Sequence, residues 1–290
     1  MFYVLTVALV LIAAIEGICW KANRQSPLDT IFGISVIGVF FALAIFGLSF
    51  SWEDAPFANL TWTTVGWTAL INVLVIIRVM AWVKILKYVF LSVADPLSLL
   101  WLVFLTFFSW LIFGGSLGGW EIGAVALILV SGMALGFGQR SERGHRNYKL
   151  GLAFLVLWLV AAVTNELLAK QITIEGLAPA TYSALRFLII VPMCLVLYLV
   201  LRRNPIKTLK SVCRDKIIIA ISFLFAVGTV VYMTLLVGMN VGVLHSILTA
   251  ATPLVVLMSI FIFKERLRWY NYIFIALILV GAVGLALLSG

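Results

Sequence analysis

Apolar runs of about 19 to 23 residues recur along the chain, the length at which a helix crosses a bilayer core of roughly 30 Å. Ten such runs can be drawn: 2–20, 30–50, 62–83, 92–113, 120–138, 150–170, 179–201, 216–237, 241–263 and 270–288. Backbone polar groups in lipid must be satisfied within the segment, and the runs are too long for barrel strands, so each is predicted to be a helix. The divisions between them carry turn or charge signals: Ser26-Pro27, Trp52-Glu53-Asp54, Gly114-Gly115-Ser116, Arg140 to Lys149 and Arg202 to Lys216. The third and fourth runs are divided around Lys84 to Leu91. The pattern predicts an all-α integral membrane protein with ten transmembrane helices.

Composition agrees: of 290 residues, 64% are hydrophobic and only 11% charged, too little polar surface for a soluble domain of this size. The first run lacks a basic start and a small-residue cleavage site, so it reads as a retained span rather than a signal peptide. Cys19, Cys194 and Cys213 have no metal or redox spacing. A net charge of +9 would suggest nucleic acid in a soluble protein, but here topology accounts for it. Lys21 and Arg24, Lys84 and Lys87, Arg140 to Lys149, Arg202 to Lys216, and Lys264 to Arg268 fill the odd-numbered loops. Together they supply 17 of the 20 Lys and Arg. Even-numbered loops carry Glu53, Asp54 and Glu175 instead. The positive-inside rule then puts odd loops in the cytoplasm and both termini on the non-cytoplasmic side of a plasma (inner) membrane.

An ungapped step of 150 residues relates the two halves. It carries Glu16 onto Glu166, Asp95 onto His245, Phe113 onto Phe263, Leu117 onto Leu267, and Ala126-Leu127-Ile128-Leu129-Val130 onto the identical Ala276-Leu277-Ile278-Leu279-Val280. The chain reads as one unit written twice, residues 1–146 and 147–290. Five spans per unit is an odd number, so the second unit enters the membrane the other way up. The expected architecture is two inverted five-helix repeats, with a solute site between them.

Charged residues inside spans are costly and mark candidate sites. Glu166 either binds a proton or solute, or forms an i, i+4 ion pair with Lys170 that eases insertion. Glu16 has no basic residue one turn away in its helix. If the two exchange charge, a neutral glutamine at Glu166 should be tolerated by the fold. Arg78 and Arg186 either neutralise the buried acids or hold a carboxylate or phosphate with their planar forks. Asp95, before Pro96, suits a helix cap as well as a site. His245 suits a proton carrier or a hydrogen-bonded packing residue. Asn165, beside Glu166, is a weaker candidate, as is Asn240 between the eighth and ninth runs. Most aromatics near span ends fit interfacial belts. Trp20, Trp82 and Tyr232 are the ones suited to a cavity and to stacking on a cation, and the step of 150 pairs Trp82 with Tyr232.

Three segments carry a resemblance: Gly242 to Pro253, Phe263-Lys264-Glu265-Arg266-Leu267, and Ile275 to Gly281. With Ala184-Leu185-Arg186-Phe187, they resemble the EamA-type transporters of the drug/metabolite transporter superfamily. Glu16 and Glu166 are similar to the first-helix glutamate of the small multidrug resistance proteins in that superfamily. There the acid binds either protons or a cationic substrate. The resemblance implies secondary transport of small organic metabolites such as amino acids or organic cations, proton-coupled and without a cofactor. The partners are then a small-molecule substrate and membrane lipids, with no nucleic acid; one chain suffices, a homodimer being the alternative. The rival function is a flippase for a lipid-linked sugar or polyprenyl-phosphate in envelope biogenesis. No clustered His and Asp motif and no Ser–His arrangement points to an enzyme.

Overall fold

The computed structural model describes residues 2–23, 25–49, 57, 59–88, 98, 100–114, 118–138, 148–201, 203–263 and 269–288. Among these the chain is all helical: α1 (Phe2–Ala22), α2 (Pro27–Ser49), α3 (Trp62–Tyr88), α4 (Leu100–Phe113), α5 (Gly119–Gly138), α6 (Tyr148–Ile174), α7 (Pro179–Val200), α8 (Pro205–Val212), α9 (Lys216–Gly238), α10 (Val241–Leu248), α11 (Ala251–Phe263) and α12 (Trp269–Leu288). Six of them, α1, α2, α3, α6, α7 and α9, are long and apolar enough to cross a membrane; α4, α5 and α12 contain shorter apolar stretches. Large apolar side chains point outward, among them Phe40, Val156, Leu199 and Phe261, and Trp62, Trp120 and Trp269 are strongly exposed near helix ends. Such a surface suits lipid rather than water. The chain is a multi-pass membrane protein.

The helix limits follow local chemistry. At the start of α2, Ser26 Oγ accepts from the Asp29 amide and donates to the Asp29 carboxylate, ahead of Pro27 in the first turn. Asn204 caps α8 through the amides of Ile206 and Lys207, and Asp215 caps α9 through that of Ile217. At the end of α6, Gly176 takes a positive φ of 79°, and the Leu177 amide returns to the Ile172 carbonyl.

Two expectations change. First, α3 runs on to Tyr88, so Lys84 is helical and does not begin a loop. Second, the run 241–263 is broken into α10 and α11 by a turn at Thr249-Ala250. The proline at position 253 accounts for the break, since a proline has no N–H to give the carbonyl four residues before it. The short helix α10 carries His245 and starts where Asn240 Oδ1 accepts from the Gly242 amide at 2.8 Å.

The core lies where α2, α7 and α9 meet, with α3 laid along α6 and α1 along α9. Approach of α2 to α7 is close enough that a Cβ at Gly38 would sit 2.1 Å from the Phe187 ring, so that position requires glycine. The far flank is α5 against α12. At one end, Asp29 receives the Tyr198 hydroxyl and lies 3.6 Å from Arg203. At the other, the Trp67 indole donates to Glu175 at 3.2 Å.

Candidate functional site

Glu166 stands on α6, with 7% of its side chain exposed, and donors reach it from four helices. Arg78 Nη1 on α3 lies 3.0 Å from Oε1, and Asn165 Nδ2 on α6 lies 2.9 Å from the same oxygen. The Tyr232 hydroxyl on α9 donates to Oε2 at 2.8 Å. His245 Nε2 on α10 is 3.3 Å from Oε2 and 2.9 Å from the Tyr232 hydroxyl. An ionised carboxylate offers about four acceptor positions, so these donors fill it. Tyr232 has one proton, which goes to Glu166. Nε2 of His245 must therefore carry a hydrogen, donated towards the Tyr232 oxygen and Glu166.

Aromatic rings wall this cluster. Trp101 on α4 meets the His245 ring edge-on at 4.6 Å, and Trp158 on α6 lies 5.6 Å from the Arg78 guanidinium. Trp82 does not touch the charges; it packs on Trp158 at 5.3 Å.

Glu16, on α1, keeps a little accessible surface but is dominated by its protein surroundings. The described residues give it one partner, the Trp20 indole, which donates at 3.0 Å. The charges of Arg78 and Arg186 are near enough to act on it. Arg186, on α7, makes one long hydrogen bond to Thr229 Oγ1 at 3.4 Å and lies over the Phe225 ring at 4.7 Å.

Lys170 does not make the ion pair with Glu166. Its ammonium donates to the Leu236 and Met239 carbonyls at 2.7 and 3.1 Å. These are carbonyls at the C-terminal end of α9, left without intrahelical donors, and a cation suits the negative end of the helix dipole. Asp95 lies outside the described residues.

The structure thus brings Glu166, Arg78, Asn165, Tyr232 and His245 together, and keeps Glu16 with Trp20 in a second group. The sequence reading missed Trp101, Trp158, Asn72 and Ser183. Asn72 had a usable signal, an amide deep in an apolar run; the others look like ordinary packing residues until the helices are assembled.

Residues 149–287 match the EamA-like transporter family. No curated protein matches the chain. A solved structure titled only "Crystal structure of protein" is similar in fold, with a TM-score of 0.71 at 15% identity, over 99% of this chain and 96% of that one.

Proposed function

From the match of residues 149–287 to the EamA-like transporter family, we propose that the chain is a membrane transporter of that family, a ten-span, proton-coupled secondary transporter. In this reading residues 1–146 and 147–290 are inverted five-helix units, and a small organic metabolite such as an amino acid or an organic cation moves through a site between them. Helix packing supports the two units. Exchanging α1 with α6, α2 with α7, α3 with α9, α4 with α10 and α11, and α5 with α12 turns each major packing pair into another observed pair. The contact of α3 with α6 becomes that of α9 with α1, and α2 with α9 becomes α7 with α3; α2 with α7 and α5 with α12 map onto themselves.

One observation carries the functional reading. The first helix of each unit is lodged in the other unit: α1 packs on α9, α10 and α11, and α6 packs on α3 and α4. Glu16 and Glu166 therefore both stand at the junction of the units, where a change of access would move them relative to their neighbours. A proton on one side and a solute on the other then compete for charge at that junction. The distribution of Lys and Arg supports cytoplasmic odd loops and two external termini in the plasma membrane. One chain supplies both acids, so a monomer suffices.

The test is uptake into proteoliposomes from a mixed pool of amino acids and organic cations, with and without an imposed proton gradient. Gradient-dependent accumulation is expected, and its absence for every solute in the pool would end the proton-coupled reading. A reporter fused after Gly290 should be active outside the cytoplasm and one at Arg143 inside. The reverse result would invert the orientation.

A further inference from the structure

Arg186 and Arg78 are both arginines inside spans, but only Arg78 has a carboxylate. Among the described residues no carboxylate oxygen lies within 4.0 Å of the Arg186 guanidinium. Its five N–H donors find a single acceptor, Thr229 Oγ1, at the long distance of 3.4 Å. Nε is buried with no partner at all.

Two more unpartnered polar atoms belong to residues close to Arg186, one a turn away on α7 and one bonded to its backbone. Ser183 is three residues earlier on α7 and so shares the face of Arg186, with Cβ atoms about 5–6 Å apart at that spacing. Its hydroxyl is completely buried and makes no hydrogen bond. Asn72 on α3 is equally buried and donates Nδ2 to the Arg186 carbonyl at 2.9 Å, leaving Oδ1 without a partner. Of five such buried atoms in the described residues, three belong to this one locality. Buried polar groups are almost always satisfied, by protein, water or ligand. Arg186 itself is only partly buried, but its Nε is out of reach of solvent, and a buried N–H left without an acceptor is unfavourable until one joins it.

We infer that Arg186, Ser183 and Asn72 form a binding site for an oxyanion, a carboxylate or phosphate group on the molecule that is carried. Arg186 presents Nε and the free edge of its fork to two oxygens of the group, and the Ser183 hydroxyl donates a third bond. Asn72 Oδ1 accepts from a hydroxyl or ammonium on the same molecule. Phe225, stacked under the guanidinium, fixes the plane of the fork. Arg78, by contrast, already has a carboxylate partner in Glu166, on its Nη1. The inference rests on the transporter reading for its substrate but not for the binding itself.

The experiment uses the full chain, purified in uncharged maltoside detergent at constant ionic strength. Thermal protection is titrated with lactate, with inorganic phosphate and, separately, with phosphatidic acid added to the micelles. Saturable protection by lactate or phosphate is expected, abolished in Arg186→Gln and weakened at least about tenfold in Arg186→Lys, which keeps the charge but loses the fork. Ser183→Ala should weaken it by about three- to tenfold, one hydrogen bond. Should Arg186→Gln fail to fold, the Lys and Ala variants carry the comparison. Protection by phosphatidic acid alone, still dependent on Arg186, assigns the oxyanion to a lipid headgroup. No saturable protection by any probe, or equal protection in the variants, overturns the site and leaves water as the occupant. Proteoliposome transport by the same preparations keeps the two readings apart. Arg186-independent transport removes the site and spares the transporter; Arg186-dependent protection without transport does the reverse.

Discussion

Four donors from α3, α6, α9 and α10 converge on Glu166, whereas the described residues give Glu16 only the indole of Trp20. The step of 150 residues accounts for the contrast. It carries Arg78 to Gly228, Tyr232 to Trp82, His245 to Asp95, and Asn165 to Ile15. Gly228 is where α9 admits α1 closely, since a Cβ there would lie 3.2 Å from the Ile12 side chain. Where one half has a guanidinium, the other has a helix contact. At this step the acid recurs and its surroundings do not. Hydrogen-bond accounting separates the two acids: four donors fill Glu166, while Glu16 accepts from Trp20 alone among the described residues. The two arginines differ in the same way: Arg78 pairs with Glu166, and Arg186 has no carboxylate within 4.0 Å among the described residues.

The largest expected effect breaks the comparison at its saturated end. Glu166→Gln removes the counter-ion of Arg78 and puts an NH2 among four donors. Loss of one partner from a buried pair costs about 3–5 kcal/mol, and the half-exposed rim of Arg78, 31% accessible, places this case near the lower bound. Thermal unfolding in detergent should show the drop, and Arg78→Gln should show one of similar size. From the sequence, a tolerated glutamine is what charge exchange predicts and a loss of stability is what a structural ion pair predicts; the structure supplies Arg78 as the partner. Unchanged stability in both variants would mean that Glu166 is not held as the geometry indicates.

Next in size is Lys170→Met. It keeps the apolar stem and removes two charge-assisted hydrogen bonds to the end of α9. A loss of about 1.5–3 kcal/mol is expected. Because those carbonyls flank the link into α10, hydrogen exchange around Met239 to His245 should quicken in the variant. A stability loss without that local change would place the effect of Lys170 elsewhere.

Tyr232→Phe tests the join between Glu166 and His245. It deletes one hydroxyl and should cost about 1 kcal/mol, since Arg78, Asn165 and His245 remain on the carboxylate. The Tyr232 loss should be non-additive with His245→Ala, because both act on Oε2. Strict additivity would show that the two contacts are independent.

Much of this fold is legible in the sequence because spans are specified by length and apolarity. Apart from 241–263, each predicted run falls on a helix as far as it is described, and the break at Thr249-Ala250 could have been read from Pro253. The members of the Glu166 cluster also drew notice singly, since charge or a ring nitrogen inside a span is rare. Their association was not legible. Arg78 and Glu166 are 88 residues apart, and Tyr232 is 66 beyond Glu166. Periodicity gives the face a residue occupies, but not which helix lies opposite. Lys170 shows the same limit: its nearest acid in sequence is one turn away, yet its partners are carbonyls of another helix. Ser183 gave no signal, because a serine in a span commonly bonds back to its own helix, as Ser35 and Ser222 do.

The smallest effect on the fold is expected at Glu16, together with the greatest effect on coupling. Glu16→Gln keeps the shape of the side chain, and the new amide oxygen can still accept from Trp20. No ion pair among the described residues is broken, so stability should change by no more than about 0.5 kcal/mol. The carboxamide binds no proton, so proton-driven transport should disappear, while exchange of solute for solute persists. Thermal unfolding, gradient-driven uptake and counterflow on one preparation separate these outcomes. A large loss of stability would show Glu16 to be as structural as Glu166, and the contrast between the halves would vanish. Full gradient-driven uptake in a stable Glu16→Gln variant would show that the open carboxylate is not where the proton is exchanged.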